Sequence, residues 1–213
     1  MTPDFKSSLK SALAPLLRDD GFRGSGTTFR RSSDPVLQVF HIQGSRAGDS
    51  CCVELGTHLM FLPTVMEDTP DPRTISILAC EFRRRLAPDG AIDHWWSYGA
   101  NAREAEASVA ELVATYRALS AKRLGQYQVF PGPFALITPE SLQQGDLSPL
   151  PGATTVARAA LAMARIAVHR GRPDEARAFV KVGLESLANS PGGAGQFVDR
   201  RFAAVLRDLG DAG

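Results

Sequence analysis

The sequence has no long hydrophobic run, only three cysteines, two tryptophans and four lysines, and no excess of either charge. Each shortage excludes something. The longest apolar stretches, such as Leu59 to Leu62, fall far short of the roughly 20 residues that a membrane-spanning helix needs. Met1 to Lys10 carries Asp4, Lys6 and Lys10 among small residues and lacks the apolar heart of a signal peptide. Cys51, Cys52 and Cys80 cannot all pair within one chain, and the first two are neighbours, so a reduced, cytoplasmic setting is expected. Twenty-four basic against 23 acidic residues leave a net charge of +1, which argues against a dedicated polyanion binder. The basic residues are mostly arginine, a usage read here as bacterial. With 213 residues, 44% of them hydrophobic, the chain has ample material for a packed core.

The common catalytic signatures are missing as well. There is no HExxH, CxxC or GxSxG. Gly21, Gly24 and Gly26 form G-x2-G-x-G, but they follow a helical pattern instead of a strand, so the dinucleotide fingerprint fails on context. No motif calls for a cofactor.

What is present is secondary-structure patterning. Phe5, Leu9, Leu13, Leu16 and Leu17 make one helical face over residues 3–20, with Thr2 as cap and Pro3 in the first turn. Gly21 stops this helix, and Pro15 predicts a bend within it. The period then changes to two. Strands are expected at 28–31, 36–43 and 51–62, with 75–86 as a fourth candidate beyond a solvated loop at 63–73. Polar connections as short as these favour an antiparallel meander. Asn101 and Glu104 form a capping box that opens a helix over 102–124, and residues 126–152 read as a crossing segment and linker. An Ala-rich helix at 154–170 is broken by Gly171. A second begins at Pro173, shows Ala176, Phe179, Val180, Gly183, Leu184 and Leu187 on one face, and stops at Asn189 to Gly193. A last helix carries Phe197, Phe202, Val205, Leu206 and Leu209. The fold class is therefore α+β: an antiparallel sheet of four or five strands covered by helices, then a C-terminal helical hairpin and final helix. The division expected is 1–145 for the sheet domain and 151–213 for the helical appendage.

Residues 5–142 resemble a bacterial family of unknown function. The likeness is carried by Leu9, Leu13, Gly21 and Phe22, Thr28-Phe29-Arg30, the Gln38 to Ser45 strand and Val53-Glu54-Leu55-Gly56. It continues through Cys80 to Leu86 and ends at Trp95-Trp96. The resemblance implies a fold and no activity. Residues 169–184 separately resemble a tetratricopeptide-type hairpin; one copy is too few for a solenoid.

The candidate site is the cluster Glu54, His58, Glu81, Arg83, Arg84, Arg85, Trp95 and Trp96. Strand alternation puts Arg84 on the face opposite Arg83 and Arg85, and an enclosed arginine demands a carboxylate, for which Glu54 or Glu81 is the expected source. A structural ion pair beside a tryptophan plug is the preferred reading. A pocket for an anionic or planar ligand is the alternative, and arginine with aromatic neighbours is also the composition of interface hot spots. A zinc site from His41, His58 and the cysteines lacks ligand spacing, and a Cys80–His nucleophile pair lacks an activating neighbour. A basic stripe of Arg30, Arg31, Arg46 and Arg83 to Arg85 for nucleic acid is a minor alternative, diluted by Asp34, Asp49 and Glu81. The function expected is a non-catalytic cytoplasmic binding or protein-interaction module, in the role of an adaptor or protective partner of another bacterial protein. An enzyme or small-anion sensor using the Arg/Glu/Trp cluster is the alternative. A protein partner, a second copy of the chain or a small anionic ligand are the partners this admits; a membrane is not among them.

Overall fold

The computed structural model describes residues 1–89, 91–120, 124–152, 154–189 and 195–210, with the side chains of 195–197 excepted. The chain divides into two compact units, Met1–Phe130 and Pro131–Gly213.

The first unit opens with α1 (Pro3–Ser8), a π turn (Leu9–Leu13) and α2 (Ala14–Asp19), which run on as one helix. Two demands meet in the π turn. Pro15 has no N–H for the ladder, and the Ala14 N–H reaches back five residues to the Leu9 carbonyl. In addition, Phe5, Leu9, Leu13 and Leu17 recur every four residues, a spacing that drifts about 40° per step on a regular helix. The wider turn takes up that drift, and all four side chains are buried. The predicted bend is thus realised as a local widening.

Six strands follow: β1 (Arg23–Ser25), β2 (Thr28–Ser33), β3 (Val36–Gly44), β4 (Ser50–Leu59), β5 (Phe82–Arg85) and β6 (Trp96–Ser97). All pairings are antiparallel. The order is β1-β2-β3-β4-β5, with β6 pairing the other end of β4. Helix α3 (Ala102–Leu119) then packs beside α1. Its Asn101 cap accepts the Glu104 N–H, and the Glu104 carboxylate accepts the Ala100 N–H. One sheet face, with Phe29, Phe40, Ile42, Cys51, Val53 and Leu55, closes on these helices as the main core.

The second face corrects the expectation of a strand over 75–86. Only Phe82–Arg85 is strand; Ile77–Ala79 is a short 3-10 turn. Ile75, Ile77 and Cys80 are buried against Leu37 and Val39 on the back of the sheet. Gly56 makes this approach possible. A Cβ there would stand 2.7 Å from Cys80 Sγ and 2.8 Å from Ile77 Cδ1. Strands β1 and β6, three and two residues long, were not expected; neither is long enough to show a period.

The second unit holds a 3-10 turn (Gly132–Leu136), α4 (Pro139–Gln143), α5 (Val156–His169), α6 (Pro173–Ala188) and α7 (Gly195–Gly210). Helix α4 packs on α5 and α6, so residues 131–143, which the sequence pattern grouped with the sheet, belong with the helices. Gly171, at φ +66°, turns α5 into α6, and α7 packs on both. The absent side chain at Gly183 leaves room for the buried ring of Phe202. The expected stop at residues 190–193, the end of the 102–124 helix at 121–123 and the side chain of Phe197 lie outside the described residues.

Candidate functional site

Strand register brings part of the cluster together. Thr28 lies opposite His41, His41 opposite Glu54, and Glu54 opposite Arg85, one row running across β2, β3, β4 and β5. Alternation puts these side chains on the second face, beyond the part that residues 75–80 cover. All four are half-buried. Thr28 Oγ1 and His41 Nδ1 are hydrogen-bonded at 2.8 Å. Burial lowers the His41 pKa, the charge of Glu54 opposes that shift, and Arg30 adds to it.

Arg85 ends the row. Its partner is Asp93, with Nη1 donating to Oδ2 at 2.6 Å, and neither Glu54 nor Glu81 takes that place. The bond to Arg85 holds the Asp93 carboxyl below its usual range. The guanidinium also lies 5.1 Å from the centre of the Trp95 ring. Arg85 and Asp93 keep 30% and 46% of their side-chain surface in solvent. The pair is therefore a surface clasp that holds the loop after β5 against the strand. Residues 91–95 carry that clasp, and they also present Ile92, 95% exposed, and Trp95, 41% exposed.

The other candidates are placed elsewhere. Trp96 is 1% exposed, on β6 opposite Cys51 in the main core, with the His94 ring 4.7 Å away. His58 is fully enclosed; its Nε2 lies 3.1 Å from the Leu62 carbonyl, and its Nδ1 accepts the Glu81 N–H at 3.1 Å. That pattern puts the proton on Nε2. Burial lowers its pKa, so the ring is a neutral tie between the end of β4 and the chain entering β5. Glu81 meets His58 through its backbone, and its side chain is half-buried. Arg84 pairs with Leu55 and takes the helix-covered side, while Arg83 and Arg85 take the other. Three arginines on a terminal strand also discourage edge-to-edge pairing with another sheet.

The cysteines are buried and free. Burial pushes the Cys51 and Cys80 thiols up to about 12, so both are protonated at neutral pH. Among the described residues no three of His, Cys, Asp and Glu gather closely enough to hold a metal ion. No described helix is long and apolar enough to cross a membrane.

Sequence reasoning missed Thr28, Ile92 and Asp93 as parts of this surface and considered His41 only as a metal ligand. The strand register was the available signal for Thr28 and His41. Nothing local marks Asp93, since only the return of the loop brings it to Arg85.

In comparisons with known proteins, the model of a family described as a domain of unknown function (DUF4304) matches residues 13–121, just over half of the chain. No curated protein and no solved structure matches.

Proposed function

The chain belongs to the DUF4304 family of domains of unknown function, and because that description carries no activity we propose a role from the geometry: a non-catalytic protein-interaction module. Its contact surface is the open end of the second sheet face together with the loop after β5. One observation carries the proposal. Ile92 and Trp95, three residues apart on one loop, turn large apolar surfaces to water while the Arg85–Asp93 clasp holds that loop to the sheet. Preorganised tryptophan and arginine, with an aliphatic neighbour, are what interface hot spots are made from. The partner that fits is a protein presenting an apolar side chain to Trp95 and a carboxylate to the arginines, in keeping with an adaptor or protective role.

The proposal sets this module in the reducing cytoplasm of a bacterium, in keeping with three buried, free cysteines. It treats α5 and α6 as a tetratricopeptide-like hairpin that gives the chain a second contact, with a partner or with a second copy. A small-anion site on the same face is the alternative, favoured by Arg30, Arg83 and Arg85 lying on one side of the sheet against Glu54 and Asp93.

A photo-crosslinking side chain at position 92, compared with one at exposed Lys181, tests the proposal in the native cell. The expected result is a discrete protein adduct from position 92 that Trp95→Ala removes. Adducts that are the same from both positions, or indifferent to Trp95→Ala, would refute it.

A further inference from the structure

A cleft of about 320 Å³ opens between the N-terminal helix and the turn joining β1 to β2. That volume is at the lower end of the range for small-molecule pockets, about 300–1,000 Å³. Its floor and walls are apolar: Leu9, Leu13 and Ala14 from the helix, Phe29 and Ile42 from the sheet. Its rim is basic. Lys6, Lys10 and Arg18 all border it, and Ser25, Gly26 and Thr27 close the far side without a carboxylate.

The cations occupy an unfavourable arrangement. Lys6 and Lys10 are four residues apart on one helix, a spacing at which like charges repel, while Arg18 borders the other end of the cleft, about 18 Å along the helix from Lys6. Among the described residues none of the three makes an ion pair. An anion at the mouth of the cleft would relieve this repulsion, while an apolar body would fill the space below. The π turn Leu9–Leu13 forms part of the same wall, and such widened turns recur at functional sites.

We propose that this cleft binds a medium-chain aliphatic carboxylate, with its tail against Leu9, Leu13 and Phe29 and its head at Lys6 and Lys10. Complementarity is the reason for choosing this class. A purely apolar ligand leaves the repulsion between Lys6 and Lys10 in place, and a small inorganic anion leaves the apolar walls wet. The site is separate from the Trp95 surface, so its fate does not depend on that of the interaction module.

Calorimetric titration of the full chain with decanoate, kept below its micellar concentration, tests the proposal, with decanol as the uncharged control. Decanoate is expected to bind, and decanol to bind at least tenfold more weakly. The double substitution Lys6→Glu, Lys10→Glu should weaken decanoate at least tenfold. Ala14→Phe, which fills the cleft, should abolish binding. Should Ala14→Phe fail to fold, Ser25→Phe at the exposed far wall provides the same blockade. Decanol binding as tightly as decanoate overturns the proposal, as does decanoate binding that survives both the charge reversal and the blockade. Absence of any heat with decanoate at two well-separated temperatures overturns it too, since apolar burial that is thermally silent at one temperature is not silent at the other, and sedimentation with anionic vesicles in that case would assign the basic rim to a membrane surface.

Discussion

Substituting Gly56 by alanine tests how residues 75–80 lie on the sheet. The new Cβ would stand 2.7 Å from Cys80 Sγ, 2.8 Å from Ile77 Cδ1 and 3.0 Å from Cys80 Cβ, where ordinary contact begins at 3.4 Å. Ile77 Cδ1 is the end of a flexible side chain and can swing aside. Cys80 Cβ is fixed to the backbone and cannot, so the covering segment has to lift. Overpacking of this kind costs about 1–3 kcal/mol. Against it stands the gain of about 0.5–1 kcal/mol from replacing a glycine within a regular element. Because the immovable Cys80 Cβ puts this clash in the upper part of the overpacking range, the net loss expected is about 1–2 kcal/mol. For a unit of this size that lowers the unfolding midpoint by roughly 3–10 °C. Both tryptophans, Trp95 and Trp96, lie in the first unit, so thermal unfolding followed by tryptophan fluorescence reports on that unit alone. Ile77→Ala in the Gly56→Ala background should show non-additivity, because it removes one of the colliding atoms. A midpoint for Gly56→Ala that is unchanged or raised would mean that the segment does not lie on β4, and the account of the second face would be wrong.

Half-buried His41 and fully enclosed His58 predict a pH dependence. Burial lowers the pKa of both His41 and His58 from the ordinary 6.5, so the unfolded chain binds protons more readily than the folded one. Stability is therefore full above about pH 6.5 and falls as pH drops below it, and His58→Gln should flatten the fall seen in denaturant titrations between pH 8 and 5. Arg85→Ala breaks an ion pair that remains well exposed, so its cost should stay within about 1 kcal/mol; a loss of several kcal/mol would mean that the clasp is structural. Gly183→Ala puts a methyl group into the space of the Phe202 ring, and should lower the helical circular-dichroism midpoint despite alanine's better helix propensity, with Phe202→Leu partly restoring it. A chain ending at Phe130 should still unfold cooperatively by tryptophan fluorescence, since the main core is drawn entirely from the first unit; a broad, non-cooperative melt would show that the helical unit completes that core.

Local chemistry decides much of this protein without reference to any long-range contact. The Thr2 cap, the Asn101 cap and the start of α6 at Pro173 depend on residues within one turn of each other and were legible from sequence, although Glu104 reaches back to the Ala100 N–H and not to the Asn101 N–H that a capping box uses. The alternation within 36–43 and within the strand expected at 51–62 likewise assigned the faces of β3 and β4, although β4 stops at Leu59, because side-chain direction on a strand has period two whatever its neighbours are. Proline at position 15 foretold a break in regular winding, although not its form as a π turn.

Tertiary structure alone decided the rest. Strands β1 and β6 are too short for a pattern and exist through the hydrogen bonds that their partners offer. Ile75 and Ile77 alternate with Thr74 and Ser76 as a strand would, yet with Cys80 they form a cover, because β3 turns Leu37 and Val39 to that face and Gly56 lets the chain approach. The pairing of Arg85 with Asp93, and the separation of Trp95 from Trp96 into surface and core, follow from where a loop of the first unit returns to the sheet. Loop return is set by the packing of the whole unit, and for that reason no short stretch of sequence encodes it.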